Sequence, residues 1–242
     1  LREDLNMPAQ LPRRPGGALA YEDDSPVTRT GAWGAEGLGQ ALRDRGLRPA
    51  LILCSPALRC VQTAAALCSR LPADHPPIAL EPGLFEPLGW YANLPEHLGA
   101  KALRSCGYPV SEQYAPTLDG LPIHLLGRER EGAAARRIVQ SLQAVLDSAA
   151  PQLSWDSDPL ILVVGHACTL DAVRRSLDPI SAPKPYPGSS YLGLAYPFLS
   201  QVTLLRRTDT QPVHWKLHAR QPQILPPIHH AFFSSIPTPL LN

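Results

Sequence analysis

Ser55-Pro56-Ala57-Leu58-Arg59-Cys60-Val61-Gln62-Thr63-Ala64 directly follows the apolar run Ala50 to Cys54, and this junction decides the fold. A short, continuous apolar run bounded by turn residues has the pattern of a buried strand. A helix is expected within two residues of its end. Ser55 is expected to cap that helix through its hydroxyl, and Pro56 suits the first helical position, where an N–H would have no partner. Arg59 then falls in the opening turn, beside unpaired N–H groups that favour an anion. A guanidinium at the carboxyl end of a strand, next to a helix start, outlines a phosphate site. For this segment alone, a solvated arginine on an amphipathic helix is the alternative.

A second junction bears on that choice. Pro159 to Val164 is again continuously apolar, as in a strand buried on both faces of a parallel sheet. It stops at Gly165-His166-Ala167, and a helix is predicted over Thr169 to Leu177. Gly165 allows a sharp turn, and His166 is delivered to the same sheet edge as Arg59. A lone histidine after a strand is more often structural. Two strand-to-helix junctions, one presenting Arg and one His, point together to an anion site.

The pattern around these units alternates between strand and helix. Helices are predicted over Gly31 to Gly46, Pro56 to Leu71, Pro95 to Cys106 and Arg128 to Ala149, with Ala134, Ile138, Leu142, Val145 and Leu146 on one face of the longest. Ile78 to Leu80 reads as a short strand, and Gly83 to Tyr91 as a loop carrying Glu86. Tyr191 to Tyr196, Gln201 to Arg206 and Val213 to Leu217 read as closing strands. Residues 1–30 read as an irregular surface arm and Gly107 to Gly127 as irregular. The alternation predicts an α/β fold: a three-layer sandwich with a mostly parallel sheet and helices on both faces. One domain is expected over residues 1–220, followed by a proline-rich tail over 221–242.

Composition narrows the function classes. The chain has 242 residues, 44% of them hydrophobic and 18% charged, which suits one globular domain with a single core. A net charge of +1 offers no concentrated basic face for nucleic acid, and Arg13-Arg14 and Arg136-Arg137 read as solvated pairs. No apolar run approaches the roughly 18 residues that span a bilayer. The five cysteines are odd in number and lack paired metal-ligand spacing, so reduced thiols in a cytoplasmic protein are expected. Cys168, close to His166, is expected to be buried or helix-capping rather than redox-sensitive. His75, His97 and His124 fall in predicted loops without partner spacing, and Glu129 opens the long helix in a structural role. His214 and His218 have ligand-like helical spacing, but Val213, Trp215 and Leu217 alternate as a strand does, so no metal and no cofactor are expected.

At the Arg59 and His166 junctions the sequence resembles the histidine phosphatase superfamily, the phosphoglycerate-mutase-like fold. The match is most specific to the branch containing the TULA/Sts phosphatase domain and ecdysteroid-phosphate phosphatase. It is carried by Asp4 to Pro8, Leu11 to Arg14, Ser25 to Thr28, Ser55 to Ala64, Glu81-Pro82-Gly83-Leu84-Phe85-Glu86, and Gly165-His166 with Thr169-Leu170-Asp171. The resemblance implies a metal-independent phosphomonoester hydrolase working through a phosphohistidine, on phosphotyrosine proteins or ecdysteroid phosphates, and a homodimer. It assigns Arg59 and His166 to phosphate binding, His166 also to catalysis, and Glu86 to general acid catalysis. Near Leu84, Phe85 and Trp90, the pKa of Glu86 is expected to be raised. The charged ends of Arg59 and His166 are expected on the order of 4–8 Å apart, about one phosphate.

Family members open with a strand ending in Arg-His-Gly, whose His is the nucleophile. This chain has no histidine before His75 and no such strand before Asp4. It is expected to be a fragment starting after the nucleophile, with a slot of unpaired backbone groups where that strand would run. A genuine protein that has lost the motif, a non-catalytic binding or dimerising module, is the alternative. Either way the 242-residue chain is expected to be inactive towards p-nitrophenyl phosphate, because losing a covalent nucleophile removes the pathway. Metal-independent turnover abolished by His166→Ala would overturn this.

Overall fold

The computed structural model describes residues 4–93, 97–149, 153, 159–177, 189–207 and 214–217. In chain order it contains helix α1 (Arg29–Asp44), strand β1 (Pro49–Cys54), helix α2 (Leu58–Cys68), strand β2 (Ile78–Leu80), helices α3 (Ala100–Ser105) and α4 (Glu131–Ala149), strand β3 (Leu160–Val164), helices α5 (Ala167–Leu177) and α6 (Ser189–Ala195), and strands β4 (Leu204–Arg207) and β5 (His214–Leu217). The proline-rich tail 221–242 and His218 lie outside the described residues.

β1 runs between β2 and β3, parallel to both. Ile52, Leu53 and Cys54 have no exposed surface, as expected of a central strand in a parallel sheet. Alternate side chains go to opposite faces. Ile52 and Cys54 pack with Leu58, Val61 and Leu67 of α2 and Leu38 and Leu42 of α1. Leu53 and Ala79 pack with Ile138 and Val145 of α4 and Ala172 of α5. These are the three layers predicted from the alternating pattern.

Register matters most for the site. Cys54 stands opposite both Leu80 and Val164. The three strands therefore end level, and Ser55, Glu81 and Gly165 leave the sheet along one edge. β3 is half-exposed at all five positions although every residue is apolar. Among the described residues no strand pairs with its outer side.

Several expectations need correction. Tyr191 to Ala195 lies in helix α6 and not in a strand, and Tyr196 follows the helix end: Leu192 and Tyr196, four apart, are both buried in the α4–α5 cluster. β4 and β5 pair antiparallel as a separate sheet instead of closing the parallel one. The helix expected from Pro95 shortens to Ala100–Ser105. Within Gly107 to Gly127, Val110 makes a parallel bridge to Ile78. The N-terminal arm is not merely a surface element, since Arg14 and Asp24 are buried in it as an ion pair at 2.5 Å. Among the described residues no helix is long and apolar enough to cross a membrane.

α1 and α2 approach closely at Gly39, where an added Cβ would lie 2.1 Å from the Leu67 carbonyl oxygen. That neighbour is backbone and cannot rotate away. Gly39→Ala should force the helices apart and cost on the order of 1–3 kcal/mol in urea denaturation. An unchanged midpoint would show that this crossing is not tightly packed.

Candidate active site

Arg59 enters the site from the first turn of α2, and His166 from the turn between β3 and α5. Their side chains meet: Arg59 Nη2 lies 3.4 Å from His166 Nδ1. Glu86 sits between them, with Oε2 3.0 Å from Arg59 Nη2 and Oε1 2.9 Å from His166 Nδ1. All three sequence-predicted residues are thus brought together at the carboxyl edge of the sheet. The separation is shorter than the 4–8 Å expected for a phosphate, because a planar carboxylate now bridges the two cations.

Each member of this trio is held by a second partner. Ser55 Oγ lies 2.8 Å from His166 Nε2. This corrects the capping role expected for Ser55; its oxygen is 3.5 Å from the Ala57 amide and serves mainly to orient the imidazole. The His166 amide donates to Thr169 Oγ1 at 3.1 Å, and a Cβ on Gly165 would lie 2.6 Å from that same oxygen. Only glycine lets the turn close so tightly. The Tyr91 hydroxyl donates to Glu86 Oε2 at 2.6 Å and accepts from Arg59 Nη2 at 3.3 Å. Phe85, fully buried, presents an aromatic floor to Tyr91, His97 and His166 at centroid distances of 5.4, 4.7 and 5.7 Å.

The α2 N-terminus is satisfied from far away in sequence. Ala57, its cap residue, makes no side-chain hydrogen bond, and Asp24 Oδ1 instead accepts from the Leu58 amide at 2.7 Å. Asp24 also lies 4.0 Å from Arg59 Nη1 and 3.6 Å from His97 Nδ1. Burial opposes its charge, but His97, Arg14 and the Leu58 amide outweigh burial and lower its pKa.

The loop bearing Glu86 is fixed by Glu81 and Arg137. Glu81 accepts from the Gly83 and Thr117 amides and the Tyr114 hydroxyl at 3.1, 2.8 and 3.0 Å. Arg137 donates to the Gly83, Phe85 and Glu86 carbonyl oxygens at 2.8, 3.1 and 3.2 Å, and pairs with Glu129 at 2.8 Å. Arg14 and Arg137 are therefore structural cations rather than the solvated faces that their dipeptides suggested.

Electrostatics overturns one expectation. Burial raises the Glu86 carboxyl, yet His166, Arg59 and the Tyr91 hydroxyl outweigh it and hold the group well below the usual carboxylate range. The apolar neighbours Leu84 and Phe85 turn into the core, so the carboxylate faces cations instead. Burial likewise works against the His166 imidazolium, but Cys60 and Glu86 outweigh it and push its pKa up to about 9. Cys60 Sγ lies 3.7 Å from His166 Nε2. All five cysteines are free, and burial pushes the Cys168 thiol up. Among the described residues no three His, Cys, Asp or Glu side chains are grouped to hold a metal.

A cleft of about 530 Å³ has walls that include Pro56, Leu80, Pro82, Leu98, Tyr114 and Leu121, and no member of the trio lines it. Pro56 follows Ser55, Pro82 begins the Glu86 loop, and His97 contributes to both the cleft and the aromatic floor.

The histidine phosphatase superfamily (branch 1) pattern matches residues 13–187. This chain belongs to that superfamily. Among similar histidine phosphatases, the ecdysteroid-phosphate phosphatase of Drosophila melanogaster is 34% identical over 179 residues, 73% of this chain and 23% of the relative. Human ubiquitin-associated and SH3 domain-containing protein A is 33% identical over 180 residues, 73% of this chain and 26% of the relative. The chain thus spans about a quarter of the length of the curated relatives it matches. Its fold also matches the crystal structure of the Bombyx mori ecdysone phosphate phosphatase in complex with tungstate. That match has a TM-score of 0.66 and 26% identity, covering 93% of this chain and 83% of the other.

Asp24, Ser55, Tyr91, His97 and Arg137 were not singled out for the site from sequence. Asp24 had no sequence signal, because Ser55 and Pro56 offered a complete local helix start and only the structure shows α2 beginning at Leu58 without one.

The pKa shifts set a pH window. The raised His166 value gives stability that is complete below the ordinary 6.5 and lost as pH rises through about 9. The depressed Glu86 value gives stability complete above the ordinary 4.5 and lost as pH falls below it. Thermal stability should therefore drop between pH 6.5 and 9, by a contribution on the order of 3 kcal/mol at most. Glu86→Gln should flatten that limb. An equally steep fall in the variant would show that Glu86 does not hold the imidazolium.

Proposed function

We propose that the Arg59–His166 pair binds the phosphoryl group of a phosphomonoester, and that the intact protein hydrolyses it as a histidine phosphatase. The observation carrying this is the convergence of a buried imidazolium and a partly buried guanidinium on a single carboxylate at the strand ends. A carboxylate bridging a guanidinium and an imidazolium marks a position shaped for oxyanions. The names of the relatives, which include ecdysteroid-phosphate phosphatases, support the same chemistry.

In this proposal a histidine from an Arg-His-Gly strand attacks phosphorus, and the bond from phosphorus to the leaving oxygen breaks. Glu86 delivers its proton to that oxygen. Water then attacks the phosphohistidine, Glu86 takes the proton, the phosphorus–nitrogen bond breaks and inorganic phosphate leaves. Arg59 and His166 stabilise the charge on the equatorial oxygens throughout. In this proposal the leaving alcohol or phenol extends past His97 towards the cleft that His97 lines, whose proline, leucine and tyrosine walls suit an ecdysteroid or the ring of a phosphotyrosine.

The test uses a longer chain bearing an Arg-His-Gly strand ahead of Leu1. Arg59→Ala and His166→Ala should each lower kcat/KM for p-nitrophenyl phosphate by about 10²–10³. Glu86→Gln should harm alkyl phosphates more than p-nitrophenyl phosphate, whose leaving group needs little protonation. Near wild-type activity of a folded Arg59→Ala variant would remove Arg59 from the site. Tight phosphate binding without turnover would favour a binding module instead.

A further inference from the structure

The trio poses a physical problem. An acid that delivers a proton cannot be an ionised carboxylate, yet Glu86 is ionised here because it touches both cations. Those same cations are the groups expected to hold the phosphate. Arg59 Nη2 and His166 Nδ1 already point at the Glu86 oxygens, so an oxyanion that takes these two donors must displace the carboxylate.

We propose that Glu86 is an internal competitor for the oxyanion position: a bound oxyanion displaces its carboxylate from Arg59 and His166, and Glu86 takes up one proton from solvent as it leaves. This rests on the assignment of Arg59 and His166 to anion binding. Binding itself then loads the acid. One proton enters with the oxyanion, and the neutral carboxyl can donate that proton to the oxygen beside it.

Geometry supports movement of the side chain alone. Arg137 and Glu81 pin the loop backbone through its carbonyls and amides, so the Glu86 main chain stays in place. The side chain is one-fifth exposed and has solvent to rotate towards. The Tyr91 hydroxyl is the remaining polar tether, and it already bridges to Arg59. Once separated from the cations, Glu86 sits beside the new anion, where loss of both cations and like charge favour the protonated form.

The groups around Glu86 fit this account. From α2 come Arg59 and the Cys60 thiol, and from the β3–α5 turn and α5 come His166 and Cys168. From α4 Arg137 contacts its carbonyl, from the loop comes Tyr91, and from the arm Asp24 stands behind Arg59, with His97 beyond. Arg137 is saturated by Glu129 and backbone carbonyls, and the buried Asp24 is anionic. No fresh cation in this set is free to follow the displaced carboxylate.

The experiment titrates the 242-residue protein at pH 7 with sulfate, a dianion that takes up no proton near neutrality. Glu86→Gln keeps the shape but removes the competing charge, so it should bind sulfate about tenfold or more tighter than wild type. Sulfate saturation of the wild type should move the Glu86 carboxyl carbon-13 resonance, assigned by its absence in Glu86→Gln, to the position of a protonated acid. If Arg59→Ala abolishes binding while Glu86→Gln binds no tighter than wild type, the anion site stands and the displacement is wrong. Tighter binding by Glu86→Gln with an unmoved wild-type resonance overturns the proton uptake. If neither wild type nor Glu86→Gln binds sulfate, or Arg59→Ala binds it as well as they do, the anion-site assignment itself falls.

Discussion

Two cations 3.4 Å apart repel unless an anion lies between them, and Arg59 and His166 are held at that distance by the Glu86 carboxylate. Much of the remaining architecture positions these three groups. The level ends of β1, β2 and β3 release Ser55, Glu81 and Gly165 along one edge. Residues more than a hundred positions apart thereby meet, and the Ser55–His166 hydrogen bond joins the two junctions directly.

The supporting shell is unusually charged for a buried region. Asp24 ends the orphaned N–H of α2 and stands behind Arg59, with Arg14 balancing its charge. Glu81 and the Glu129–Arg137 pair fix the loop that delivers Glu86. Each buried charge has an opposite charge or backbone dipoles as partners, which is the condition for burying it without a large penalty. The arrangement is costly to disturb, and it keeps Glu86 accurate at its backbone while leaving its side chain able to turn.

Membership of the histidine phosphatase superfamily gives this geometry a chemical context. In the proposed reaction, a carboxylate seated on Arg59 and His166 reconciles two demands that otherwise conflict. At rest the cations need a counter-ion, and during transfer the leaving oxygen needs a proton. One residue meets both demands when the incoming oxyanion changes its protonation state.

Much was legible in the chain itself. Continuous apolar runs at Ala50 to Cys54 and Pro159 to Val164 announced parallel strands, because both faces of such strands are covered by helices. The turn chemistry after each run placed Arg59 and His166 at one edge, and the Glu81 to Glu86 stretch pointed to the carboxylate that meets them. These features are local or periodic, so they survive without knowledge of the fold. Tyr191 to Tyr196 was misread because β-prone Tyr and Leu side chains at helical spacing declare themselves only when packed against α5. The charge state of Glu86 was likewise invisible: its sequence neighbours are apolar, but its spatial neighbours are cations from α2 and the β3–α5 turn. Asp24 and Arg137 joined the site across 34 and 51 residues of sequence, a separation no local pattern records. Sequence determined which elements form and which residues end them. Tertiary structure alone decided which charges touch, because electrostatic energy depends on distance in space and on burial, and neither is written in the order of the chain.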